Sequence, residues 1–232
     1  MRGLLKVVHL GRRPYAEVLE LQRTLCRQRA EGLQPDDLLL LVEHDPVFTL
    51  GRGTRPESLP VPAAALHARG AAVHEVERGG DVTFHGPDQL VGYPILDLTM
   101  HREDLHWYLR ELEAVLIESL GRLGVRAERS EGRTGVWVGD RKIASIGVHV
   151  KRWVTLHGFA LNVSTDLAWF DLIVPCGLQG VRMTTVAAEG GAPATVDAAR
   201  AVTAAVFSRR FELEPVLSDA GTLAPCPAVQ GA

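Results

Sequence analysis

A chain of 232 residues, 46% hydrophobic and 23% charged, is long enough to bury a core of its own as one large domain or two small ones. A formal net charge of -3 excludes a polyelectrolyte partner for nucleic acid, and no run approaches the roughly 20 apolar residues of a membrane span. Three cysteines, Cys26, Cys176 and Cys226, stand far apart without CxxC spacing, which excludes a disulfide framework and, with no apolar leader, points to a reducing, cytoplasmic setting.

Leu4 to Leu10 is predicted to form a short strand. Pro14 then opens a helix through about Glu31, stopped by Gly32, with Val18, Leu21 and Leu25 as its apolar stripe. Cys26 falls beside the stripe as packing, and Arg23, Arg27 and Arg29 are expected outside. The unbroken apolar run from Asp37 to Val42 predicts a buried central strand, and Val47 to Leu50 extends the sheet. Three prolines make residues 54–62 a loop. A short helix at Ala63–Arg69 and a strand at Ala72–Glu77 follow.

Glycines and a proline crowd Arg78–Gln89 around a short Val/Thr/Phe strand, and Gln89–Leu98 reads as a further strand. The leucines from Leu105 to Leu123 recur at three- and four-residue steps, which predicts a helix over 103–123 that Gly124 ends. Val136–Val138 and Lys142–Val150 form a hairpin about Gly139–Asp140, and a second turn at Lys151–Trp153 leads into a strand at Leu156–Val163. Asp166–Phe170 is a short helical turn, and Thr195–Phe211 is a last helix. Hairpins with inserted helices predict an α+β fold with a mixed, mostly antiparallel sheet. Residues 1–215 then form a single domain, and 216–232, rich in Pro, Ala and Gly, a disordered tail.

Two residues stand out chemically. Cys176 lies between a φ-locked Pro175 and a permissive Gly177, with Gly180 and Arg182 nearby. That setting suits an exposed thiol of lowered pKa with N–H groups close by, although a small hydrophobe in a turn gives the same pattern. Alternation puts Lys142 on one strand face with Ala144, Ile146, Val148 and Val150. It is then either a desolvated base or an edge lysine that reaches back to solvent. Together, a thiol and a lysine within hydrogen-bond reach suit acyl transfer through a thioester. Metal is not expected, because HExxH is absent and His101 and His106 are badly spaced. Neither GxxxxGK[ST] nor GxGxxG is present, so nucleotide binding has weak support.

Four blocks in order resemble the lipoyl(octanoyl) transferase family: Arg78-Gly-Gly-Asp-Val-Thr-Phe-His85-Gly-Pro, Lys142-Ile-Ala-Ser-Ile-Gly-Val148, His157-Gly-Phe-Ala-Leu-Asn162 and Pro175-Cys176-Gly177. The resemblance implies the fold of biotin and lipoate protein ligases, related to the class II aminoacyl-tRNA synthetase sheet. It implies transfer of octanoyl from acyl carrier protein to a lysine of the lipoyl domains of 2-oxoacid dehydrogenases and of the glycine cleavage H protein, without a cofactor. Cys176 would carry the acyl thioester and Lys142 would lower its pKa. Arg78, Gly79, Gly80, Asp81, Val82, Thr83, Phe84 and His85, with Ser145, Ile146, Gly147, Gly158, Phe159 and Ala160, would line the acyl site. Both partners would be acidic carriers met by arginines such as Arg141 and Arg152. Asp88 departs from the family pattern where a glycine is usual, and Phe84 where Tyr or Trp is commoner. The rival readings are an ATP-dependent lipoate or biotin ligase on the same fold, a cysteine hydrolase, and a carrier-binding module without catalysis.

Overall fold

The apolar run that starts at Asp37 is buried on both faces because it becomes a central strand of a large sheet. The computed structural model describes residues 3–174 and 181–223. In chain order the regular elements are β1 (Leu4–Arg13), α1 (Tyr15–Ala30), β2 (Asp37–His44), β3 (Val47–Leu50), α2 (Ala63–Ala68), β4 (Ala72–Glu75), β5 (Thr83–His85) and β6 (Gln89–Ile95). There follow α3 (Leu105–Arg122), β7 (Glu128–Ser130), β8 (Arg133–Val138), β9 (Arg141–Lys151), β10 (Val154–Asn162), β11 (Arg182–Met183), α4 (Val196–Arg210) and β12 (Glu214–Ser218).

The large sheet runs β12-β1-β2-β6-β10-β9-β8-β7, with β11 pairing β9. Parallel pairing joins β1 to β2 and β12, whereas β2, β6, β10, β9, β8 and β7 pair antiparallel in succession. A second sheet, β4-β3-β5, packs beside it. The fold is therefore α+β with a mixed, mostly antiparallel sheet, as the hairpin pattern implies.

Each face of the large sheet has its own core. One is built on α3 and α4, with Leu112, Leu116, Val206 and Phe207 against Leu39, Leu41 and Leu161. The other lies under α1, with Val18, Leu19, Leu25 and Cys26 against Leu38, Leu40 and Ala160. Both α3 and α4 start at a residue whose side chain accepts a backbone N–H, Asp104 from Trp107 and Thr195 from Ala198. Cys26 is packing, and burial raises its thiol pKa.

Two expectations need correction here. Arg29 is not on the outside of α1, since its Nε donates to Asp37 Oδ1 at 3.1 Å, which ties the helix to β2. Arg23 stays half-exposed as expected while reaching Glu77 with two donors at 3.0 Å each. At the C-terminal end the chain does not leave the domain at 215, because β12 pairs with β1 through Ser218. Its side chains are mostly exposed, so the strand has no hydrophobic run to announce it. Among the described residues, no helix is long and apolar enough to cross a membrane.

Candidate active site

The two sheets meet over a cavity of about 480 Å³. Arg78, Gly79, Gly80, Asp81, Val82, Thr83 and His85 form one wall, and Ser145, Ile146, Gly147, Gly158, Phe159 and Ala160 on β9 and β10 form another. Val91, Tyr93, Phe170 and Met183 add to a lining that is mainly apolar and suits an aliphatic chain. Phe84 is brought elsewhere. In the short β5 it alternates away from Thr83 and His85, and its ring packs with Phe48, Trp169 and Phe170 under the second sheet.

Backbone packing explains the glycines of this wall. Arg52 N–H donates to Arg78 O at 3.0 Å and Gly53 N–H to Gly80 O at 2.9 Å, so the 51–53 turn is laced to the 78–80 loop. A Cβ on Gly51 would stand 2.4 Å from Gly80 O. Gly80 has φ 84°, a conformation that favours glycine. Arg78 is buried, with Nη2 donating to Thr49 O at 2.6 Å and Nη1 to Gly79 O at 3.1 Å. Gly147 lets this side chain pass: a Cβ there would meet Arg78 Cδ and Gly79 O at 3.1 Å.

Lys142 is only 7% exposed and lies on the cavity wall with its Nζ 5.6 Å from the centre of the Trp137 ring. The alternation expected for it is broken. Val136 pairs with Ala144 but Trp137 pairs with Lys142, so β9 carries one extra residue at Ile143. Ile143 and Ala144 both pack into the α3/α4 core, and Lys142 turns to Trp137 instead of sharing the face of Ala144. Gly135, at φ 125°, faces the lysine stem, and a Cβ on it would stand 2.6 Å from Lys142 Cε. Arg133 holds its guanidinium 5.4 Å from the centre of the same Trp137 ring, at the cavity rim.

Cys176 lies outside the described residues. Among the described residues that flank it in the chain, Val174 N–H donates to Ser58 O at 2.9 Å, and Val181 lines the cavity. Ser58 in turn donates to Asp81 Oδ2 at 2.7 Å. Then β11 runs parallel to β9 with Met183 opposite Lys142, and Thr184 N–H donates to Lys142 O at 2.9 Å.

At one end the cavity, lined there by Tyr15, His85, Tyr93 and His157, borders a polar cluster in which sequence reading gave a site role only to His85. Gln89 Nε2 donates to Phe84 O and Asn162 Oδ1, which leaves its Oε1 to accept His85 Nδ1–H at 2.9 Å. His44 Nδ1–H donates to Arg13 O at 2.9 Å, and its Nε2 accepts from Tyr93 OH at 2.8 Å. Tyr15 stacks on His85 at a ring separation of 6.1 Å. His157 sits at φ 61° in the middle of β10, a strained setting for a side chain, and its Nε2 lies 3.6 Å from Glu77 Oε2. In the sequence His157 opens the His157–Asn162 block and precedes a glycine in a strand, but nothing there gives it this backbone conformation.

Burial holds the imidazoles neutral. Desolvation lowers His44 to about 4; for His85, desolvation, together with the nearby His44, lowers it to about 3. Unfolded imidazoles titrate near 6.5, so between that pH and about 4 the unfolded chain binds protons that the folded chain refuses. Stability is therefore complete above pH 6.5 and falls as the pH drops, by on the order of 3 kcal/mol for each of the two imidazoles across that window. The urea midpoint measured from pH 7 to pH 4 is expected to show this slope, and His44→Asn to flatten it. A midpoint level over that range would contradict the neutral pair.

Asp88 takes φ 59°, the left-handed region that its family-pattern glycine would occupy. The strain is offset by its N–H donating to Glu43 Oε2 at 3.0 Å and its carbonyl accepting from Val163, Ser164 and Thr165. Of the arginines expected to meet carriers, Arg141 is already committed, with Nε and Nη2 on Glu189 at 2.8 and 2.9 Å. Arg152 is exposed at φ 52° in the β9–β10 turn.

Comparison with known proteins gives the family and the fold. Residues 14–208 match the family model described as the lipoyl protein ligase A/B catalytic domain. The chain is 46% identical over 228 residues to an octanoyltransferase of Gloeobacter violaceus, covering 98% of both chains. It is 50% identical over 204 residues to one of Geobacter sulfurreducens, covering 88% of this chain and 83% of that one. Among solved structures, a putative lipoate protein ligase from T. acidophilum with bound lipoic acid superposes with TM-score 0.74 at 17% identity, over 96% of this chain and 91% of that one. P. falciparum LipL1 in complex with lipoate gives TM-score 0.76 at 13% identity, over 94% and 67%.

Proposed function

The chain belongs to the octanoyltransferases of the lipoyl protein ligase A/B catalytic-domain family, and on that premise we propose that it moves octanoyl in two covalent steps, from acyl carrier protein to Cys176 and from Cys176 to a lysine of a lipoyl domain. In the first step Cys176 thiolate attacks the thioester carbonyl. A carbon–sulfur bond forms, and the pantetheine thiolate leaves with a proton from the Lys142 ammonium. In the second step neutral Lys142 takes a proton from the acceptor amine as it attacks. The amide forms, Cys176 thiolate departs, and the Lys142 ammonium is restored.

One observation carries this reading. A lysine 7% exposed is held at the wall of an apolar cavity, on the strand to which the chain pairs shortly after Cys176. A thiol of pKa about 8.5 is only a few per cent ionised at pH 7, so a nearby ammonium has a large effect on its reactivity. Arg78 to Thr83 and His85, with Ser145 to Gly147 and Gly158 to Ala160, would hold the chain of the acyl group. Arg133 at the rim and Arg152 in its turn remain as cations for acidic carriers. Arg141 does not, being held by Glu189.

The test is intact-protein mass after incubation with octanoyl–acyl carrier protein and no ATP. Wild type is expected to gain one octanoyl group that a lipoyl domain discharges, and Cys176→Ser to gain none that it can discharge. Amide formed without any adduct would mean direct transfer. A requirement for ATP and free octanoate would mean a ligase, and octanoate released in place of amide would mean a hydrolase.

A further inference from the structure

The leucine stripe of α3 is interrupted by an acid. Glu113 is 1% exposed, in a helix–sheet interface where a carboxylate is costly unless its oxygens are satisfied. Here they are satisfied from three elements. Oε2 accepts from Arg110 Nη1 at 2.7 Å on α3 and from Arg129 Nε at 2.9 Å on β7. Oε1 accepts from the N–H of Gly135 at 3.3 Å on β8. One carboxylate thus joins the helix to both strands of the hairpin that ends the large sheet.

Gly135 is where this attachment meets the active site. Its backbone faces the Lys142 stem so closely that a Cβ would stand 2.6 Å from Cε and 3.3 Å from Nζ. On its other side, among the described residues, the hairpin pairs with β9 alone, and the ladder slips next to Lys142, where β9 bulges at Ile143. The β8 wall therefore lacks regular pairing where the lysine needs it. From these contacts we propose that Glu113 is a positioning residue. Its buried carboxylate fixes the β7–β8 hairpin, through Arg129 and Gly135 N–H, at the depth that pins Lys142 against Trp137. The inference rests on the role given to Lys142 above. Arg110 and Arg129 are half-exposed and neutralise the charge; Arg129 also ties β7 to α3, its Nη2 donating to Arg110 O at 2.9 Å, while the Gly135 N–H sets the wall.

The test is a double-mutant cycle on octanoyl-enzyme formation, followed by mass at saturating octanoyl–acyl carrier protein. Glu113→Leu is expected to lower the saturated rate tenfold or more, with half-saturation unchanged within twofold. Glu113→Gln keeps an oxygen for Gly135 N–H and is expected to recover most of that loss. In a Lys142→Ala background Glu113→Leu is expected to cost nothing further. A Glu113→Leu rate within twofold of wild type would overturn the proposal. So would an equal loss with and without Lys142, which would make Glu113 a fold contact only. If Glu113→Leu does not fold, Arg129→Met releases the same hairpin from the surface, with a threefold or greater loss expected that Lys142→Ala abolishes. Wild-type rates in Lys142→Ala alone would overturn the role of Lys142, and the clamp with it.

Discussion

Lys142→Ala is expected to slow octanoyl transfer about 10³-fold, the scale of a lost general acid and base acting on an activated nucleophile. The fold should survive, because the ammonium lies on a cavity wall beside Trp137 and not within either helix-covered core. The informative companion is Lys142→Arg. A guanidinium keeps the positive charge but does not give up a proton near neutrality. If Lys142 only stabilised the thiolate, Lys142→Arg would complete both steps. If it also deprotonates the acceptor, Lys142→Arg should load octanoyl onto Cys176 more slowly, the pantetheine thiolate taking its proton from water in place of Lys142, and hold the octanoyl there. We expect the second outcome, read as an adduct that persists after a lipoyl domain is added. Prompt discharge by Lys142→Arg would leave Lys142 with an electrostatic role alone.

Most of the fold is legible in the chain because its strands and helices follow burial. The run Leu38–Val42 and the leucines of α3 need no tertiary knowledge, and Pro14, Gly32 and Gly124 mark helix ends locally. The cavity walls are legible too, since their glycines are demanded by close backbone approach. What escapes is whatever depends on a partner. The β9 bulge that redirects Lys142 exists only through pairing with β8, so a two-residue period misassigns its face. Glu113 looks like a solvated helix position until Arg129 and Gly135 arrive from strands later in the chain. His157 looks like an ordinary strand residue until its φ of 61° turns it towards Glu77. β12 is an exposed edge strand without alternation to betray it.

Gly158→Ala is expected to destabilise the protein by about 3 kcal/mol, the upper part of the range for overpacking, because the obstacle is backbone. Gly158 on β10 pairs with Gly147 on β9 and abuts Gly92 on β6. A Cβ on it would stand 2.1 Å from Gly92 O and 2.7 Å from Pro94 Cδ. Neither atom can swing aside as a side chain can, so β6 and β10 would have to separate where they are hydrogen-bonded. The neighbouring space is already taken, since a Cβ on Gly92 would fall 2.1 Å from the Phe159 ring. Separation would also move Val91 and Tyr93, two walls of the cavity, so activity should fall further than the unfolded fraction explains. Gly121→Ala is the matched control. It adds the same methyl to α3 with nothing beyond the adjacent helix backbone within 4 Å, and in a helix alanine is favoured over glycine by roughly 0.5–1 kcal/mol. Urea unfolding of the two variants should therefore shift in opposite directions with the slope unchanged. If Gly158→Ala unfolds with wild-type stability, the three glycines are not there to let these strands and the Arg78 loop approach, and the cavity wall needs another explanation.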